Sequence, residues 1–143
     1  MKFTRYFALL IGVSFVLAGV GGFLPFVTPP MPSDAPPLMV DGAYGHLIGL
    51  FPVNVIHNLV HLAIGVSGLW AWRKYEISRQ FCKVLAILLG IFTVMGLLPA
   101  LSTTFGLMPL FGHDIWLHGL EAVVGFYLGF IARPETISQP ITA

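Results

Sequence analysis

The sequence predicts an all-α fold: a four-transmembrane-helix bundle made of two parallel helical-hairpin repeats, forming a single membrane domain over residues 1–143. Three observations predict it. Of 143 residues, 57% are hydrophobic and 9% are charged. Soluble domains carry about 25% charged residues, so the surplus apolar surface here has to face lipid. Four apolar stretches approach the roughly 20 residues needed to cross a hydrocarbon core. Finally, Gly49-Leu50-Phe51-Pro52 and Gly106-Leu107-Met108-Pro109 match without a gap, and the spacing that relates them carries His61 onto His118.

The first span is expected at residues 6–26. Lys2 and Arg5 ahead of an apolar run is also how a cleavable signal peptide opens. Here the run continues through Val27 and includes Gly-Gly-Phe-Leu-Pro without a convincing small-x-small cleavage site, so a retained span stopped by Pro25 is expected. Residues 27–45 hold Pro29, Pro30, Pro32, Pro36 and Pro37, which predicts an extended external loop. Residues 43–51 and 99–110 are apolar, short and glycine-marked, and read as interfacial or re-entrant turns.

The second span is expected at 53–72, ending at Arg73-Lys74, the third at 80–98, ending at Pro99, and the fourth at 112–132, ending at Arg133-Pro134. Lys2, Arg5, Arg73, Lys74, Arg79, Lys83 and Arg133 are the seven cations. All flank the spans on one side, so the positive-inside rule puts both termini in the cytoplasm. Asp34, Asp41, His46, His113 and Asp114 then lie outside. The same distribution excludes a nucleic-acid surface, which gathers basic residues on one face of a soluble fold.

The repeat extends beyond the tetrapeptides. It pairs Gly68 with Gly125 and His57 with Asp114, and upstream Gly22-Phe23-Leu24-Pro25 resembles Gly96-Leu97-Leu98-Pro99. Each half is one hairpin, and both halves start inside, as parallel repeats do.

Polar residues fall at helical spacing within the apolar spans. Asn54, His57 and His61 share one face of the second span, with Gly65 and Gly68 further along it; Asp114, His118, Glu121 and Gly125 share one face of the fourth. At 1.5 Å per residue, His61 lies roughly 12 Å and Glu121 roughly 14 Å from the outer ends of their helices. Polar groups at that depth face the bundle interior and pair. The two stripes are therefore expected to meet, with the glycines allowing their backbones to approach.

One reading is a metal site of His57, His61, Asp114 and His118. Three imidazoles and a carboxylate suit Zn²⁺ in a tetrahedral shell, with copper or iron as alternatives. Asn54, Asn58 and Glu121 would orient the ligands. A second reading is a b-type haem between His61 and His118, which would require the helices to part by a porphyrin's thickness. A third is hydrogen bonding between helices and nothing more. Proton or ion passage is a fourth, although four helices around one cluster offer no evident pathway unless copies assemble. No catalytic residue is assigned, and enzymatic activity is not required.

His46 and His113 read as solvated or capping residues at the outer interface. Tyr6, Trp70, Trp72 and Tyr75 form an inner aromatic belt, and Tyr44 and Trp116 an outer one. Gly125 and Gly129 could pack another helix of this chain or of a second copy. Cys82 has no partner for an intrachain disulfide and reads as a small buried or lipid-facing filler.

Asn-Val-Ile-His-Asn-Leu-Val-His-Leu at residues 54–62, Gly65-Val66-Ser67-Gly68-Leu69, Asp114-Ile115-Trp116-Leu117-His118 and Gly22-Phe23-Leu24-Pro25 together resemble the bacterial membrane family termed domain of unknown function 4383. The resemblance runs from the first span to the fourth and leaves out the proline-rich insert and the tail after Arg133. It implies a four-helix protein of a bacterial plasma membrane or cyanobacterial thylakoid and leaves the chemistry open. Besides the lipid bilayer, the expected partners are further copies or a larger membrane complex in which this chain is a structural or assembly subunit.

Overall fold

The computed structural model describes residues 2–132. The Arg133-Pro134 stop and the tail expected inside the cytoplasm lie outside the described residues. The chain is mostly helical: α1 (Lys2–Gly21), α2 (Val55–Ala71), α3 (Tyr75–Leu97) and α4 (His113–Phe126), the last continued by a π-helical segment, Tyr127–Ile131. Lys2–Gly21, Tyr75–Leu97 and His113–Ile131 are long and apolar enough to cross a membrane, while α2 is a shorter apolar helix of 17 residues.

Helix ends follow local chemistry. Pro25 cannot donate to Gly21, and its ring would crowd that carbonyl, so α1 stops there. The Gly21 carbonyl instead accepts the Thr28 hydroxyl at 3.0 Å and the Leu24 amide. The proline-bearing stretch after it carries no helix. α3 begins at Tyr75, ahead of the expected Gln80, because the amphipathic turn Tyr75–Arg79 already buries Tyr75 and Ser78. Burial also removes Tyr75 from the inner aromatic belt. The Ser78 hydroxyl donates to Ala71 O at 2.9 Å and fastens the short connection between α2 and α3.

The turn expected at 43–51 is a small antiparallel hairpin. β1 (Gly45–Leu47) pairs with β2 (Phe51–Val53), Gly45 opposite Val53 and Leu47 opposite Phe51. Its loop places Ile48 and Gly49 at positive φ, and the second glycine-marked turn does the same with Phe105 and Gly106. The α1–α2 and α3–α4 connections are tied together: the Met39 and Val40 amides both donate to Gly106 O.

α1 packs chiefly against α2 and α3 chiefly against α4, with α1 also touching α3; among the described residues no comparable packing joins α2 to α4 or α1 to α4. The glycines explain the pairing. A Cβ on Gly65 or Gly68 would run into the α1 backbone at Val16, Ala8 and Gly12, and one on Gly125 or Gly129 into α3 at Cys82 and Lys83. This corrects the expectation that these glycines draw α2 onto α4. Each closes its own hairpin, because hairpin neighbours are the helices whose backbones come closest. The bundle centre is Ile11, Phe15, Ile64, Leu85, Leu89 and Ala122, one or two residues from each helix. Cys82, fully buried, fills the α3–α4 contact.

At the end of the bundle where α1 and α3 begin, Arg5 Nε donates to Trp72 O at 2.8 Å and Arg79 Nε to Gly129 O at 3.0 Å. The Arg5 guanidinium also lies 5.8 Å from the Trp72 ring centre, and the Lys83 ammonium 5.5 Å from that of Phe130.

Candidate metal centre

Asn54 starts α2. Its side chain accepts the His57 amide at 3.0 Å, as a helix N-cap does. Its amide nitrogen donates to Val40 O and Leu107 O, both at 2.7 Å, so one fully buried side chain ties the α1–α2 and α3–α4 connections to the helix that carries His57 and His61. Asn54 thus acts on the site through the backbone, by fixing where α2 begins. No hydrogen bond from it to an imidazole is present among the described residues.

His57, His61 and His118 converge from α2 and α4. All three are buried, and one potential ligand atom from each lies within 4.8 Å of the other two. The His57 ring centre is 4.3 Å from that of His61 and 6.0 Å from that of His118. The long reach of the side chains allows this meeting although the two helix backbones stay apart. Asp114, 2% exposed, places Oδ2 3.8 Å from His57 Nδ1 and falls outside the group of three.

The arrangement leaves polar atoms unsatisfied. His57 Nδ1, His61 Nδ1, Asp114 Oδ2 and Glu121 Oε2 are buried and have no hydrogen-bond partner among the described residues. A buried polar atom without a partner costs about 1–3 kcal/mol. Three of them, on His61, Asp114 and Glu121, belong to residues lining one cleft, where a group that accepts or supplies hydrogen bonds or lone-pair coordination would satisfy them.

The side chain of Asn58, fully buried, stands against Gly22 just beyond α1, where a Cβ would overlap it, and neither of its amide atoms has a hydrogen-bond partner among the described residues. Glu121 stands one turn beyond His118 and, with His61, Asp114 and His118, lines a cleft of about 370 Å³ between α1 and α4. His113 is exposed at the start of α4, its ring 6.4 Å from Phe51, and His46 lies in β1 opposite Pro52, so neither joins the cluster.

Aromatic packing holds the rings in place. Phe15 meets His61 edge-on at 5.0 Å, and Phe92 lies 6.1 Å from His118. Neither residue belongs to the polar stripes legible in the sequence. Phe15 could have been found from the small residues Gly12 and Gly19, which mark the face of α1 that meets α2; Phe92 has no comparable signal.

No curated protein and no solved structure matches this chain. The family model described as domain of unknown function (DUF4383) matches residues 5–131, which span all four helices and every residue of the cluster, and the chain belongs to that family.

Proposed function

We propose that this protein binds a metal ion, Zn²⁺ or copper, through His57, His61 and His118, near the outer end of a four-span bundle formed by duplication of a helical hairpin. The observation that carries the reading is the convergence of three buried imidazoles within 4.8 Å, two of them with an unpartnered Nδ1. A cluster serving only to join helices would hydrogen-bond its own members. Three imidazoles with a fourth position open are the ligand set of several catalytic zinc sites. Asp114 stands where a carboxylate orients a ligating imidazole, which tunes its basicity. A b-type haem has less support, because the His57 ring lies close to both His61 and His118, in the space a porphyrin would need.

Connectivity supports a fourth span, and the distribution of cations supports the orientation. α1 and α3 both start beside cations, so α2 has to return the chain to the side of Arg73 and Lys74, although its 17 residues cover only about 25 Å. Duplication is supported by paired details. Arg5 and Arg79 are separated by the same spacing as Gly22 and Gly96, and each grips the end of its partner helix, at Trp72 and Gly129. Those acceptors are separated by the spacing that relates His61 to His118. Both termini would face the cytoplasm of a bacterium, or the equivalent side of a thylakoid.

Elemental analysis of protein purified without added metal and without chelator tests the site. About one Zn or Cu per chain is expected, and its loss when His61→Ala and His118→Ala are combined. A metal-free wild type that also fails to take up Zn²⁺ or Cu²⁺ on titration would refute the reading.

A further inference from the structure

We propose that the cleft between α1 and α4 binds the ring of a lipid-soluble phenol or quinol, hydroxyl inward, with its apolar tail passing between the two helices into the bilayer. Leu17 of α1, Leu117 of α4 and Ile48 of the β1–β2 loop line the cleft and are all exposed, so its rim is apolar, and where it runs between the two helices it offers acyl chains a way in. Its volume of about 370 Å³ falls in the range of small-molecule sites, roughly 300–1,000 Å³.

The floor specifies the chemistry of the head. His61 Nδ1, Asp114 Oδ2 and Glu121 Oε2 are buried there without a partner among the described residues, and His61 and Asp114 are themselves more than nine-tenths buried. A phenolic hydroxyl both donates and accepts, so it can satisfy an imidazole nitrogen or a carboxyl group in either charge state; a quinone carbonyl can only accept. No Lys or Arg lines the cleft, and two carboxyl groups do, which rejects an anionic phosphate head. Phe15 and the two imidazoles offer faces and edges to a flat ring, which an aliphatic alcohol would not use. The two sites share His61 and His118, but Asp114, Glu121 and the apolar walls of the cleft lie outside the three-imidazole group, so ring binding does not require the metal.

The test is saturation binding of radiolabelled decylhydroquinone, kept reduced, to the full chain in nanodiscs, with empty nanodiscs subtracted. One site per chain is expected. Decanol, decyl phosphate and the bis-methyl ether of the probe should compete at least about tenfold less well, a difference of about 1.4 kcal/mol. Ala18→Trp and Leu117→Trp fill the cleft from opposite walls and should each weaken binding at least about tenfold. Glu121→Gln should weaken it about fivefold. Metal content is measured on the same samples and should be unchanged in the two tryptophan variants, so loss of the ring site and loss of the metal site are separately visible. Absence of saturable binding, equal competition by decanol or by the methyl ether, or full binding in a folded tryptophan variant would overturn the proposal.

Discussion

His57 Nδ1 lies 3.8 Å from Asp114 Oδ2, and the two residues are separated by the same spacing as His61 and His118. A histidine of α2 thus faces a carboxylate of α4, while the pair at the same spacing further along, His61 and His118, is histidine on both helices. The result is a set of three imidazoles with one acid beside it. If the acid orients His57, Asp114→Asn lowers metal affinity about 10- to 100-fold while stoichiometry at saturation holds. Competition against a chromophoric chelator measures this, and unchanged affinity would remove Asp114 from the site.

The hairpin glycines are expected to be unequal in their tolerance of side chains. Gly68 and Gly125 sit against the backbones of α1 and α3, whereas a Cβ on Gly90 meets nothing within 4 Å. Gly68→Leu and Gly125→Leu should each destabilise the protein by about 3 kcal/mol or more, through overpacking. Gly90→Leu should leave thermal stability in detergent unchanged or slightly raised. Similar melting behaviour for all three variants would contradict the hairpin packing described above.

The arginine clasps give a matched pair of measurements. Arg5→Ala and Arg79→Ala each remove a charge-assisted hydrogen bond to a helix-end carbonyl, worth about 1–2 kcal/mol. Arg5→Ala should cost the more, since it also loses the contact with the Trp72 ring. Denaturant titration in mixed micelles reads both changes, and a larger loss for Arg79→Ala would be the contrary result.

Strain at the outer turns predicts gains in stability. Ile48 and Phe105 adopt φ of 49° and 58°, a region that costs a residue bearing a side chain about 1–2 kcal/mol, and both side chains are exposed. Ile48→Gly and Phe105→Gly should each stabilise the fold by about 0.5–1 kcal/mol after the entropy of a more flexible unfolded chain is offset. Ile48 also lines the cleft, so its replacement tests whether the strain serves ligand binding: a stabilised variant that holds the probe less tightly would place it there.

The helices and the facing of their polar residues were legible in the sequence because they depend on local rules. Apolar length, Pro25 and Pro99, and the cations at Arg73 and Lys74 delimit the long helices without knowledge of neighbours. The spacing of His57, His61, Asp114 and His118 commits each group to one side of its helix. Periodicity, however, fixes only an angle around a helix axis; it does not say what stands opposite. Tertiary structure alone decided that Gly65 and Gly68 meet α1 and not α4, that Asn58 turns to Gly22, and that Asn54 serves the site by joining two loops to a helix end. It also decided that three imidazoles gather while Asp114 stands behind one of them. Those outcomes depend on how closely two backbones can approach and how far a side chain can reach, quantities that exist only once the helices have docked.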